Sequence, residues 1–506
     1  MFYGRRLFKA VTFFVVGDII ALICPMLFLI LAFICAIAIF GVIALFRFEK
    51  YYHLQKYFAF FVLGLLLGGL FNNVILEPFN AYENSRTEIS GYVTEVDNFG
   101  GSITIRVKNK ELSPFRFSAK LYGEDDLIEN IEKGDMIKVI VDCGKISQKN
   151  YLIADRCYIQ GKIISYIPTD VEIGIFDSFY LKTRSIISKG LHHGLGDTDE
   201  YALADGILVG DQTKISIGLK QAFKNTGTSH FLSISGLHFS LLVAMTFFVI
   251  LRVTGNERAA CIISVILIAL YMPIPSFTPP VVRSAFISLF LFFTKLTKIK
   301  SDTVTSMSLS LLIILIFNPA AILSIGLQLS YCATFGIIYA KIVSPEIELE
   351  NRHGSTSQKI RRFILSGFKV STLALIFTTP ITILAFESFS VFSPLFNIVL
   401  SPLFTIVLFC SILIACISIL FPLLSQYAIY ILEIPLKLFN FLIKVFGSFS
   451  FVKVNTDGKL VILLSYLLIL AIFLAILTHE RPREKDGKVF LFITWGAVVV
   501  ASLLGI

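Results

Sequence analysis

The chain has 506 residues, of which 56% are hydrophobic and only 16% are charged, and its mean hydropathy is +0.80. These values lie outside the range of globular proteins and exclude a soluble fold. The formal net charge is +9. Because basic residues of membrane proteins concentrate in cytoplasmic loops, this charge does not by itself indicate nucleic-acid binding.

Long apolar runs near the N-terminus predict membrane helices. The first run extends from about residue 8 to residue 46. A single helix of that length would measure roughly 58 Å, about twice the hydrocarbon core, so we predict two helices separated near Pro25. A third helix is predicted at 57–76. Basic residues flank the first pair, which places the N-terminus in the cytoplasm and the segment after the third helix outside. Residues 1–79 are thus expected to be a retained membrane anchor.

Residues 80–170 differ from the rest because apolar and polar positions alternate. This period of two predicts strands at 88–96, 103–108, 115–121, 136–142, 151–159 and 161–167. Short strands without a long helix predict a small extracytoplasmic β-barrel, of which the OB-fold is one instance. Acidic residues balance the basic ones here, which leaves open whether the barrel binds nucleic acid or is structural. An oxidising compartment favours a disulfide between Cys143 and Cys157.

Residues 171–230 are predicted to be amphipathic helices at the membrane surface. We expect one apolar face, made of Phe176, Phe179, Tyr180, Ile186 and Ile187. The adjacent His192 and His193 point apart on a helix and do not indicate a metal site.

The remaining residues, 231–506, are predicted to form a helical membrane domain. Its segments are expected at 232–251, 259–275, 281–295, 303–317, 320–341, 363–386, 391–419, 426–446, 459–478 and 489–505. With the N-terminal three, these make a polytopic α-helical membrane protein with about 13 transmembrane helices.

Polar side chains enter a predicted membrane helix between Gly227 and His238. The stretch contains His230, Ser233, Ser235 and Gly236, and such groups are costly in hydrocarbon unless they face a cavity or another helix. On a helix, Ser235 and His238 lie one turn apart and can share a hydrogen bond. Two interpretations remain open: a functional polar site, or helix packing by small residues.

Four more polar residues are candidates for a polar path. Arg283 lies within an apolar segment, where it either meets phosphates or extends to the membrane interface. Gln328 and Ser330 lie in the middle of another segment. Asn397 stands between two prolines, a pattern typical of the broken helices of transporters.

The Gly227–His238 stretch closely resembles the signature of the competence DNA-uptake channel family, the ComEC family. That signature reads approximately glycine-x-x-histidine, two hydrophobic residues, x, then Ile-Ser-Gly-Leu-His. Other positions also fit: Gly210 and Asp211, Pro275 and Ser276, Arg283, residues 326–330, Pro380 and residues 397–402. The order of N-terminal helices followed by a β module is similar too. One departure is Ser240, where the family often has glycine.

The resemblance implies an inner-membrane channel that passes single-stranded DNA into the cytoplasm during natural transformation. Its implied partners, besides membrane lipid, are an extracytoplasmic DNA receptor with pilus machinery and a cytoplasmic motor or strand-binding protein. Longer relatives carry a metallo-β-lactamase-like domain, whose closely spaced metal-binding histidines do not occur in this chain. A Walker loop is also missing. We therefore expect no metal, no cofactor and no enzymatic activity.

Two other classes of function remain as alternatives. An intramembrane hydrolase would use Ser233 or Ser235 with His230 or His238, but the sequence offers no acid to orient the histidine. A small-solute transporter is supported only by the proline-interrupted segments.

Overall fold

The computed structural model describes residues 6–23, 52–97, 102–107, 117–123, 131, 134–144, 150–169, 175–232, 236–272, 278–299, 302–343, 356–386, 388–390, 392–449 and 453–455, with single residues between 30 and 41. The chain forms two compact units. The first comprises Met1–Ile173, Asp302–Gln328 and Glu480–Ile506, and the second comprises Gly174–Ser301 and Leu329–His479.

In the first unit, helices α1 (Arg6–Ile23) and α2 (Tyr52–Leu70) pack with their backbones in contact. Glycines make this approach feasible: a Cβ on Gly17 or Gly64 would overlap a backbone carbonyl of the opposite helix. Small residues commonly allow membrane helices to pack in this way. After α2 the chain continues through a π-helical turn (Phe71–Leu76) and a 3₁₀ turn (Glu77–Tyr82).

A closed five-stranded barrel follows, which confirms the small β-barrel expected from the alternating pattern. Its strands are β1 (Arg86–Asp97), β2 (Ser102–Val107), β3 (Ser118–Tyr122), β4 (Met136–Cys143) and β5 (Cys157–Pro168). They pair in the order β1-β2-β3-β5-β4, and β4 closes on β1. Only the β3–β5 pair is parallel. Along β4, buried and exposed side chains alternate, so one row fills the barrel.

The strand predicted at 151–159 is wrong in its first half. Residues Asn150–Ala154 form a short helix, α3, and the strand starts only at Cys157, where it merges with the one predicted at 161–167. Leu152 and Ala154 are buried in this helix. Tertiary packing therefore overrides the local β pattern here.

The predicted disulfide between Cys143 and Cys157 is also wrong, because the strand register holds these two buried residues apart. Cys143 lies opposite Gly161 on β5, and Cys157 stands four residues before Gly161 in the same strand. At about 3.3 Å per residue, this offset is roughly 13 Å along the strand. A disulfide needs Cα atoms within about 7 Å.

The second unit begins with three helices, α4 (Ile175–Leu195), α5 (Asp199–Val209) and α6 (Ile217–Thr226). A 3₁₀ turn (Ser229–Phe231) then leads to six further helices. These are α7 (Gly236–Thr254), α8 (Glu257–Tyr271), α9 (Pro279–Thr297), α12 (Thr356–Phe386), α13 (Ser393–Leu420) and α14 (Pro422–Gly447), and strands β6 (Ser388–Ser390) and β7 (Lys453–Asn455) form a small ribbon. Helix α10 (Thr303–Phe317) and a 3₁₀ segment (Pro319–Leu323) belong to the first unit, and α11 (Ile325–Val343) contains the boundary.

Four described helical segments are long and apolar enough to cross a membrane: Lys56–Tyr82, Pro279–Thr297, Thr356–Phe386 and Ser393–Ala415. Shorter apolar helices occur at His238–Thr254, Thr303–Phe317 and Ile325–Ala340. Helices α13 and α14 continue through Pro402 and Pro435. The membrane segments predicted at 459–478 and 489–505 lie outside the described residues.

Candidate functional site

The polar stretch between Gly227 and His238 changes direction at a glycine. Helix α6 ends at Thr226, and Gly227 has a φ of +70°, which a residue with a side chain adopts only under strain. The hydroxyls of Thr226 and Thr228 share a hydrogen bond of 2.6 Å and are fully buried. Ser233 and Ser235 lie outside the described residues.

Gly227 contacts the start of α13, and this contact brings three predicted residues together. The Ser393 hydroxyl donates to the Gly227 carbonyl at 3.5 Å, and the Asn397 amide donates to the Ser393 and Ser371 hydroxyls at 3.4 and 3.3 Å. The exposed His230 lies beside the Gly227 backbone. We call Gly227, His230, Ser371, Ser393 and Asn397 the Gly227 cluster.

A second cluster forms where α7 meets α9. A Cβ on Gly236 would lie 2.7 Å from Arg283 Nη2 and would overlap the Ser284 hydroxyl. Arg283 Nη1 donates to the Thr334 hydroxyl at 2.8 Å, and the guanidinium lies 5.7 Å from the Tyr331 ring centre. We call Gly236, Arg283, Ser284, Tyr331 and Thr334 the Arg283 cluster.

The guanidinium of Arg283 carries a charge that no carboxylate neutralises within the described part of the chain. Its Nε is buried without a hydrogen-bond partner. Such an arrangement suits an anion that accepts from several donors, as a phosphate does.

Aromatic rings separate the two motif histidines. The Phe231 ring lies 4.3 Å from that of His230 and 4.6 Å from that of Phe404, and the His238 ring stacks on Phe404 at 4.4 Å. Phe231, Phe404 and Phe439 are buried, and His238 is only 2% exposed. His238 is therefore a packing residue in this conformation, whereas the His230 side chain is exposed.

Gln328 and Ser330 take part in local hydrogen bonds within the described part of the chain. Gln328 is buried and donates to the Ile322 carbonyl at 2.8 Å, so its amide closes the preceding 3₁₀ segment. The Ser330 carbonyl accepts from the Thr334 hydroxyl at 2.8 Å, and that hydroxyl accepts from Arg283. Ser330 thus supports the Arg283 cluster through Thr334.

Gly210 and Asp211 begin a loop whose next residue, Gln212, contacts the motif. The sequence analysis did not single out Gln212. Gly210 has a φ of +75° and ends α5, and Asp211 accepts from the Thr213 hydroxyl at 2.6 Å. The Gln212 amide then donates to the Leu232 carbonyl at 3.1 Å. Lys214 anchors the loop by donating to the Tyr201 hydroxyl at 2.6 Å.

A buried acidic side chain lies near this loop. Asp205 is 1% exposed, and burial raises the pKa of its carboxyl. The positive charge of the nearby Lys214 partly opposes this increase.

Sequence reasoning missed three residues of the candidate site, namely Gln212, Ser393 and Thr334. Of these, only Thr334 left a signal, since it lies one helical turn after Ser330.

Comparisons with known proteins agree with the motif. Residues 207–482, just over half of the chain, match the Competence protein family. A stretch of 202 residues is 26% identical to ComE operon protein 3 of Bacillus subtilis (strain 168), and it covers 40% of this chain and 24% of that protein. No solved structure matches. The family match includes every residue of both clusters.

Proposed function

The chain belongs to the competence protein family, and from this premise we propose that it forms a membrane channel for single-stranded DNA during natural transformation. One observation carries the proposal: Arg283, in a helix long enough to cross a membrane, has a guanidinium that no described carboxylate neutralises. A charge at membrane depth is costly, and such residues commonly line the paths of ions and polar substrates.

In this proposal the strand passes the Arg283 cluster with its phosphates toward the guanidinium. Bidentate contact with a phosphate uses two N–H donors in one plane, and Arg283 keeps Nε and Nη2 in addition to the Nη1 bond to Thr334. The Gly227 cluster supplies neutral hydrogen-bonding groups, and the exposed imidazole of His230 offers a ring against which a base can stack.

The proposal includes a topology. The N-terminus is cytoplasmic, the β-barrel is extracytoplasmic, and about 13 helices cross the bacterial cytoplasmic membrane, as loop charge favours. An external receptor and pilus deliver DNA, and a cytoplasmic motor or strand-binding protein receives it. The chain itself does not cleave DNA and uses no cofactor. The serines of the alternative hydrolase lie outside the described residues, so no observation favours that alternative.

The test replaces the charge of Arg283. In transforming cells, Arg283→Gln should lower the import of labelled DNA by roughly tenfold to a hundredfold, the equivalent of about 1.5–3 kcal/mol for one charge-assisted hydrogen bond. Arg283→Lys keeps the charge but loses the planar pair of donors, and it should retain part of the activity.

Arg258→Gln provides the matched control, because Arg258 is an exposed arginine at the start of α8. It should leave import unchanged. The proposal fails if Arg283→Gln, present in the membrane at the normal amount, imports DNA as well as the control does.

A further inference from the structure

The exposed face of α4 has two parallel rows of side chains with different chemistry. Phe179 and Ile186 stand two turns apart in one row and are 53% and 37% exposed. Lys182 and Lys189, also two turns apart and exposed, form the neighbouring row, which His193 extends. A helix with period 3.6 places each lysine beside one apolar side chain.

The opposite face of α4 packs against the core, so the two rows point away from it. Ile187, Leu191 and Leu195 are buried against α5, α13 and α14. The single apolar face expected from the sequence is therefore divided, since Ile187 points into the core while Phe179 and Ile186 point outward.

The charge of the outward face is positive and uncompensated. Within the described part of the chain, Lys182 and Lys189 form no ion pair. His192, at the edge of this face, is already engaged by Asp197 at 2.9 Å. The face therefore presents lysine ammonium groups and a second imidazole, that of His193, next to exposed apolar side chains.

We propose that this face of α4 docks on anionic phospholipid headgroups. Lysines at a bilayer surface extend their ammonium groups to the phosphates while their methylenes and neighbouring apolar side chains enter the acyl boundary. Anionic lipids attract such cations, and the attraction fades within a Debye length.

The apolar row favours a lipid surface over a nucleic-acid strand. Surfaces that bind single strands combine cations with aromatic rings on which successive bases stack. On α4 the second apolar position is Ile186, an aliphatic side chain that gains from leaving water but offers no ring.

Docking at this face has a consequence for the motif. Helix α4 packs on α5, and the loop after α5 bonds the Leu232 carbonyl through Gln212. All of these residues belong to the second unit. Bound headgroups under α4 thus set the depth of the His230 turn relative to the bilayer surface.

The experiment uses the full chain in nanodiscs. Trp495, the single tryptophan, is replaced by phenylalanine, and Phe179→Trp supplies a fluorescent reporter in the docking face without adding an aromatic position. Phosphatidylglycerol brominated in its acyl chains is then titrated against phosphatidylcholine. We expect strong quenching of this reporter and a relative association constant that favours the anionic lipid. In Lys182→Gln/Lys189→Gln this constant should fall to about one, as expected when electrostatic attraction is lost.

The control double variant Lys220→Gln/Lys224→Gln removes the same charge from α6 and should keep the preference. Three results overturn the proposal: equal quenching by both lipids in the parent, an unchanged preference in the α4 double variant, or a reporter that brominated lipid does not quench. Protection of the reporter from aqueous quencher by a single-stranded oligonucleotide, without quenching by brominated lipid, would assign the face to a strand instead.

Discussion

Arg283 and Gly236 act as one unit at the scale of single residues. The Ser284 hydroxyl and the Arg283 guanidinium occupy the space that a side chain at position 236 would need, so at least one of them must move to admit it. Gly227 has a comparable role at the other cluster, where Ser390 and Ser393 fill the space beside its Cα. Both motif glycines are therefore explained by close approach to a polar neighbour, and at Gly227 also by a positive φ.

Gly236→Ala should destabilise the protein by about 1–3 kcal/mol, the usual range for inserting a methyl group into a filled site. It should also lower DNA import, because Arg283 or Ser284 must move to admit the methyl group. Thermal unfolding of the purified protein and import of labelled DNA measure the two effects.

Gly218→Ala is the matched control, since it lies in the first turn of α6 with no atom within 4 Å of the added Cβ. In a helix this exchange is favourable by roughly 0.5–1 kcal/mol. If Gly236→Ala behaved like Gly218→Ala in both assays, the close contact with Arg283 would be incorrect.

At the scale of elements, local periodicity predicted the strands well where each has one face inside the barrel. The alternation in Ile103–Val107 and Met136–Cys143 is directly visible in the sequence. Periodicity wrongly predicted a strand at Asn150–Ala154. These residues form a helix that packs against the Pro319–Leu323 segment. A partner more than 160 residues away leaves no local signal.

Sequence reasoning likewise found only part of the candidate site. Polar groups and glycines are unusual in apolar segments, and this made five residues recognisable: Gly227, His230, Gly236, Arg283 and Asn397. Ser393, Thr334 and Gln212 escaped because serine, threonine and glutamine are ordinary at such positions, and only the fold shows their hydrogen bonds.

The strand register makes a prediction about the two barrel cysteines. If the protein is unfolded without reductant in the presence of an alkylating reagent, both Cys143 and Cys157 should be modified, because their offset on β5 is roughly 13 Å at about 3.3 Å per residue. Peptide mass spectrometry measures this. A linked peptide pair that appears only without reductant would refute the register of β4 on β5.

At the scale of the whole molecule, the net charge of +9 does not by itself indicate a contact with DNA. The proposed contact with the strand depends on one arginine in an apolar helix, and the proposed contact with lipid depends on two lysines of α4. Within the described residues, surface charges elsewhere include ion pairs such as Lys295 with Glu257 and Lys444 with Asp199. Such exposed pairs contribute little to stability, at most about 1 kcal/mol each.

The central claim is that a DNA strand passes the Arg283 cluster, and crosslinking of a halted strand tests it most directly. A photoreactive phenylalanine derivative is placed at Tyr331, whose ring lies 5.7 Å from the guanidinium, and in a second protein at Phe293, a 55% exposed ring on the same helix as Arg283. DNA carrying a bulky group at its trailing end is then imported until it stops, and the cells are irradiated. The account predicts a DNA adduct at position 331 and none at position 293. A halted strand that labels position 293 as strongly as position 331, or that labels neither, would contradict it.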